Sequence, residues 1–217
     1  MEDETLRRSM LFDFYGELLT GKQREYYDLH YNEDLSLGEI AEQAGISRQG
    51  VWDMIRRADK TMREAEDKLH MAARFTALRR ELGEITARFN SIEGARFGRV
   101  CDVLGTSDAG GGSGFARWSD CLESEFAAAC GAIRPYKVFS ERELDGFMRL
   151  PEKYRGLLDE VMTPRLIHAD LWEGNVLVTP DKKHIAAIID ADRALFGDVG
   201  FELAGGWNDS AEFYSGW

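Results

Sequence analysis

Two stretches of this 217-residue chain carry side chains whose types and spacing could do chemistry. One is Leu166-Ile-His168-Ala-Asp170-Leu-Trp-Glu-Gly-Asn175-Val-Leu-Val, followed by Ala187-Ile-Ile-Asp190-Ala-Asp192. Phosphoryl transfer needs a carboxylate to orient the accepting hydroxyl, and oxygen ligands to hold Mg²⁺ over the phosphates. Asp170 has the type and place of the hydroxyl-side base. Asn175, on the same loop, and Asp190, at the end of a strand, would be the metal ligands. His168 would brace the loop through a hydrogen bond to backbone. The other stretch presents Arg48, Gln49, Trp52, Asp53, Arg56, Arg57 and Lys60. Arg and Gln at the start of a helix suit base edges in the major groove, whereas Arg57 and Lys60 suit phosphates. From Ser47 to Arg63 five basic residues stand against two acidic ones. The same arginines could instead pair with Glu64, Glu66 or Asp67 along the helix, at tenths of a kcal/mol per pair.

A helix-turn-helix must position the second group. Counting from Leu37, Ala41 supplies the small residue where two helices cross, and Gly45 supplies the left-handed turn without steric cost. Ile40, Ala44, Ile46, Val51 and Met54 fill the apolar positions that lock the pair together. Ser36-Leu-Gly-Glu39 and Thr20-Gly-Lys-Gln23 are capping boxes, and Ser47 caps a helix that begins at Arg48. Ahead of them, Leu6, Met10, Leu11, Phe14, Leu18 and Leu19 recur at helical spacing, with Gly16 the one weak residue. Tyr26, Tyr27, Leu29 and Tyr31 supply an aromatic face. From Val51 an apolar stripe runs through Met54, Ala58, Met62, Ala65, Leu69 and Ala72 and on to Leu78, Leu82, Ile85 and Phe89, near a heptad repeat. Such a stripe either packs back on the first helices or pairs with a second copy.

Near Asn90 the texture becomes loop-like, and Asp108–Gly114 is a flexible glycine run. It lacks a Gly-Lys-Ser/Thr ending and no strand precedes it, so it reads as a surface loop rather than a phosphate cradle. Helices are expected around Trp118–Ala132 and Ser140–Met162, the latter opened by the capping box Ser140-Glu-Arg-Glu143. Asn175–Thr179 and His184–Ile189, separated by Pro180-Asp-Lys-Lys, read as a hairpin that carries Asn175 and leads to Asp190.

Composition narrows the function. A net charge of −12 argues against coating nucleic acid or anionic membrane by bulk electrostatics, so any nucleic-acid contact must come from a local basic face. No apolar run approaches the roughly 20 residues that span a bilayer, and no membrane insertion is expected. Met-Glu-Asp-Glu is the wrong charge for a targeting peptide. Three cysteines without a Cys-x-x-Cys pair fit a reducing, cytoplasmic compartment.

Leu11-Phe-Asp-Phe-Tyr-Gly-Glu-Leu-Leu-Thr, Lys22-Gln-Arg-Glu, Asp34-Leu-Ser-Leu-Gly-Glu-Ile-Ala-Glu and Ser47-Arg-Gln-Gly-Val resemble the YlxM family, small bacterial proteins similar to region four of sigma factors. The match covers about residues 1–82. It implies an all-helical homodimer that needs no cofactor, with DNA as partner and a regulatory link to components of the signal recognition particle. Gly50 and Trp52 stand where Ala and Tyr are expected, and Gly50 weakens its helix by up to about 1 kcal/mol. The His168–Asp192 constellation, with Asn90-Ser-Ile-Glu-Gly-Ala-Arg-Phe-Gly and Arg193-Ala-Leu-Phe-Gly-Asp198, resembles the aminoglycoside phosphotransferases over about residues 83–204. That resemblance implies a kinase-like fold using ATP and Mg²⁺. The glycine-rich strand pair and strand lysine of that fold cannot be found upstream, and its closing helices look shortened. Ala169 and Glu202 also stand where Gly and Asp are usual.

The expected fold is mainly α: an all-α helix-turn-helix domain over 1–82, then a partial α+β kinase-like lobe over 83–217. The leading function is DNA-binding regulation, with the kinase-like part inactive. A phosphotransferase using Asp170, Asn175 and Asp190, and a protein-interaction adaptor, are the alternatives. The second part would be a degenerate half kept as a binding or dimerisation surface, a half-site completed by another protein, or an accident of gene fusion or assembly. The first and third are preferred, because the ATP cradle is missing.

Overall fold

Three helix starts are set by short-range chemistry. Thr20, Ser36 and Ser140 each accept a hydrogen bond from the backbone N–H three residues on, while Gln23, Glu39 and Glu143 reach back to the cap's own N–H. In the computed structural model, which describes residues 2–105, 113–204 and 210–217, the chain divides into two units, Met1–Ala77 and Leu78–Trp217. The chain is mainly helical, with a few antiparallel strands confined to the second unit.

The first unit consists of α1 (Glu2–Tyr15), α2 (Gly21–Tyr31), α3 (Leu37–Ala44), α4 (Arg48–Leu69) and the start of α5 (Met71–Asn90). The spacing predicts a first helix through Leu19, but α1 stops at Tyr15 and Gly16–Leu18 form a 3-10 turn. Leu19 must be extended so that Thr20 can cap α2, and the backbone leaves the helix just before it. Leu18 is consequently exposed while Leu19 is buried. α4 packs against α1, α2 and α3. Its inner face, Val51, Ile55, Ala58 and Met62, is buried with Leu11, Tyr15, Tyr26, Tyr27 and Ile40.

The long apolar stripe is not one helix. α4 ends at Leu69, His70 adopts a left-handed conformation (φ 53°), and α5 begins at Met71. The Glu66 carboxylate accepts from the backbone N–H of Ala72 and Ala73, each at 3.0 Å, and from the Tyr15 hydroxyl at 2.5 Å. Tyr15 Oη in turn accepts from Met71 N–H at 3.1 Å. Three donors of the first turn of α5 are thereby satisfied by side chains, which permits the break. Burial pushes the Glu66 carboxyl up, but the hydrogen bonds from Tyr15, Ala73 and Ala72 outweigh it and hold the group below its ordinary value. The stripe serves two cores: Val51 to Met62 packs back on the first helices, and Leu82 enters a core of the second unit.

The second unit continues with β1 (Gly98–Arg99), α6 (Val100–Val103), α7 (Trp118–Ile133), α8 (Glu141–Met148), α9 (Leu150–Lys153), α10 (Arg155–Leu158), β2 (Arg165–Ile167), β3 (Val176–Val178), β4 (Ile185–Ile188), β5 (Leu195–Gly197), α11 (Val199–Leu203) and α12 (Ala211–Gly216). The expected single helix over 140–162 is instead α8, α9 and α10. Pro151 lacks the N–H that a continuous helix would use there. The β3–β4 hairpin forms as expected, Val176 opposite Ile188. Two strands show no alternation in the sequence because each is three residues long: β2 and β5 pair antiparallel in a sheet ordered β1-β5-β2, with Leu166 opposite Phe196. Residues 108–112 of the expected glycine run lie outside the described residues. Trp118, Cys121 and Leu122 of α7 pack under the sheet against Phe97, Ile167 and Leu195. α5 and α12 meet through glycines: a methyl on Gly83 would lie 2.1 Å from Phe213 O, and one on Gly216 2.0 Å from Arg80 O. Trp217 Nε1 closes this contact by donating to Asn90 Oδ1 at 2.8 Å.

Candidate nucleic-acid interface and a second polar cluster

The turn between α3 and α4 is built as the residues demand. Gly45 is left-handed at φ 67°, and Ser47 Oγ accepts from Gly50 N–H at 3.0 Å to start α4. Of the residues expected to lock the pair, Ile40 and Val51 are buried and Ala44 and Met54 half-buried. Ile46 is a correction: it sits in the turn, 40% exposed, and Ile55, one helical turn beyond Val51, fills the core instead.

Arg48, Gln49, Trp52, Arg56, Arg57 and Lys60 are all exposed on α4, Gln49, Arg56, Arg57 and Lys60 on the side away from its buried face. Arg48 folds back over the start of α3, where a methyl on Gly38 would come within 3.2 Å of its guanidinium. Gln49 Nε2 donates to Asp53 Oδ1 at 3.0 Å. Lys60 approaches Glu64 at 3.6 Å. Among the described residues, neither Arg56 nor Arg57 has an ion-pair partner. Arg63 is different, since Asp59 (2.7 Å) and Glu4 (2.8 Å) engage it and tie α4 to α1. Glu66, an alternative partner for these arginines, is occupied at the α4–α5 junction.

In the second unit the 168–175 loop is held from several sides. His168 Nε2 lies 3.0 Å from Ile189 O, a contact to backbone. Asn175 Nδ2 donates to Asp170 O at 2.8 Å, and Ile189 N–H donates to Asn175 O at 2.9 Å. Asp190 follows directly, exposed and left-handed at φ 64°. Asp170 is half-buried, its Oδ1 3.6 Å from Arg193. In the sequence Glu202 stands out only as a departure from a family pattern. It is buried, and its carboxylate accepts from His168 N–H and, at 3.3 Å, from Ala169 N–H. Burial pushes its carboxyl above the ordinary value against the lowering effect of those two donors. Ala169 itself is left-handed at φ 62°, a conformation that glycine adopts without cost. No three His, Cys, Asp or Glu side chains among the described residues form a metal-binding group. None of the described helices is long and apolar enough to cross a membrane.

The capped pair α3–α4, with its left-handed turn and outward polar face, makes the first unit a helix-turn-helix module. The chain belongs to the UPF0122 family, described as "Putative helix-turn-helix protein, YlxM / p13 like", whose model matches residues 2–93. It is 53% identical over 75 residues to the UPF0122 protein of Halalkalibacterium halodurans, covering 35% of this chain and 69% of that protein. It is 49% identical over 85 residues to that of Shouchella clausii, covering 39% and 78%. The Thermoanaerobacter pseudethanolicus protein is 45% identical over 85 residues, covering 39% and 73%. The family match thus speaks for the first unit and the start of the second.

Proposed function

We propose that this protein is a regulator that binds duplex DNA, with α4 entering the major groove. The observation that carries this reading is the set Arg48, Arg56, Arg57 and Lys60, all exposed on the second helix of the motif, with Arg56 and Arg57 unpaired among the described residues. In a chain of net charge −12, cations are placed where a groove would meet them. Gln49 and Trp52 beside them would meet base edges, and Arg57 and Lys60 phosphates. A homodimer in the cytoplasm, and a link to the signal recognition particle, extend this proposal on the family resemblance alone.

Fluorescence anisotropy of a labelled duplex with the whole chain across a salt series tests it. Each neutralised phosphate contributes about 0.9 to the slope of log affinity on log salt. The triple variant Arg48→Ala, Arg56→Ala, Arg57→Ala should lose binding at moderate salt and show a slope shallower by about two to three. Absence of binding by the unaltered chain at low salt would leave the motif as a protein-docking scaffold, the adaptor reading.

The geometry of the 168–175 loop supports a second reading, a phosphotransferase-type loop of the kinase-like class. Asn175 and Asp190 offer oxygen donors of the kind Mg²⁺ takes, completed by water and phosphate, and Asp170 would orient a hydroxyl. Bound ATP would supply the phosphoryl group and leave as ADP, and Mg²⁺ would offset the charge on its phosphates. ATP binding at millimolar concentration that depends on Mg²⁺ and vanishes in Asp190→Ala would support this reading, and no binding would dispose of it.

A further inference from the structure

Helical geometry sets which residues of α4 would face a groove. Gln49, Asp53, Arg56 and Lys60 follow one another at spacings of three and four, which puts them in one row opposite the buried Val51, Ile55, Ala58 and Met62. Arg48, the residue before them, is turned back over Gly38. Gln49 therefore stands at the N-terminal end of the row, the part of a recognition helix that reaches base edges.

Asp53 is the odd member. It is half-buried, and a carboxylate in this row repels phosphate and works against the cations beside it. Its Oδ1 accepts from Gln49 Nε2 at 3.0 Å. A carboxylate has no proton to give, so the amide must turn its nitrogen towards it, and one of the two N–H bonds is used. The other N–H and Oε1 have no partner among the described residues. One donor and one acceptor are thus left side by side, the complement of N7 and the N6 amino group of adenine in the major groove. Guanine presents two acceptors at the same place, which Oε1 cannot satisfy.

We propose, resting on the DNA-binding reading, that Gln49 reads an adenine and that Asp53 is a positioning residue which fixes the orientation of the amide. The whole chain is used to select from duplexes with a randomised centre, and fluorescence anisotropy then measures affinity for a selected duplex. The selected duplexes should share an adenine whose exchange for guanine weakens binding about tenfold. Replacing that adenine by 7-deazaadenine, which loses the N7 acceptor and keeps base pairing, should weaken binding about threefold and needs no change in the protein. Gln49→Ala should no longer distinguish adenine from guanine there, while its salt slope stays unchanged. Asp53→Ala should lose the same distinction yet bind unselected duplexes more tightly, and Asp53→Asn, which keeps an acceptor, should retain it. A pair that serves only helix stability would leave base preference untouched in every variant, and that result overturns the proposal. So does loss of a cytosine preference in Asp53→Ala, which would mean that Asp53 reads a base itself. Salt-dependent binding without a Gln49-dependent adenine overturns the proposal alone, whereas no binding of any duplex removes the DNA-binding reading with it.

Discussion

On the outer face of α4, Gln49, Arg56, Arg57 and Lys60 pair at most with a side chain four residues along the same helix, whereas in the 168–175 loop the polar side chains hold the backbone in place. Arg56 and Arg57 make no ion pair among the described residues, and the fold of the first unit is carried by the opposite face of the same helix. In the loop, His168 and Asn175 are buried and bonded to Ile189 O and Asp170 O, and the buried Glu202 of α11 accepts from the amides of residues 168 and 169. A surface built for reading a partner can change its polar residues at little cost to the fold. A loop that positions groups by buried hydrogen bonds cannot, because each deletion leaves a donor or acceptor unpaired.

This contrast can be broken at four points. The largest effect is expected at Ile55→Ala, which empties a fully buried position on the inner face of α4 and should destabilise the first unit by about 4 kcal/mol in urea unfolding. A loss below 1 kcal/mol would mean that α4 is not the keystone of that core.

Next comes Glu202→Ala, which strands two buried amide donors and should cost the second unit about 2 kcal/mol. A pH series sharpens the same point. The carboxyl is pushed up by burial, so the folded chain holds its proton more tightly than the unfolded chain does. The favourable contribution is therefore present below the ordinary glutamate value and lost as pH rises through the raised one. Relative to Glu202→Gln, which keeps an acceptor, the unaltered protein should lose stability as pH climbs above about 4.5. A difference that grows in the other direction would show that the two amides, rather than burial, govern the group.

At the turn, Gly45→Ala meets no atom within 4 Å, so its cost is the left-handed backbone alone, about 1 kcal/mol. Differential scanning calorimetry would read it as a fall in Tm. The smallest effect belongs to Arg56→Ala with Arg57→Ala, which should leave urea stability within about 0.5 kcal/mol while weakening DNA binding. A large stability loss there would make α4's outer face structural and erase the contrast.

The helix-turn-helix was legible because its signals are local. Caps at Ser36 and Ser47, a left-handed Gly45 and apolar residues at helical spacing act within a few residues of one another. The hairpin was legible for the same reason. The brace at His168 could be anticipated from its place beside Asp170, but not the carbonyl it meets, which lies 21 residues away. Glu202 was missed as a loop anchor because its two donors lie more than 30 residues upstream.

The continuous stripe from Val51 to Phe89 shows the same boundary. Periodicity identified which residues turn inward, because helical geometry repeats every 3.6 residues whatever the context. That the helix breaks at His70 was decided by Tyr15, more than 50 residues from Glu66, whose hydroxyl and carboxylate partner cap the start of α5. Element type, caps and turn chemistry follow from neighbours along the chain. Helix breaks and the buried anchors of a loop depend on groups that only folding brings within hydrogen-bond distance.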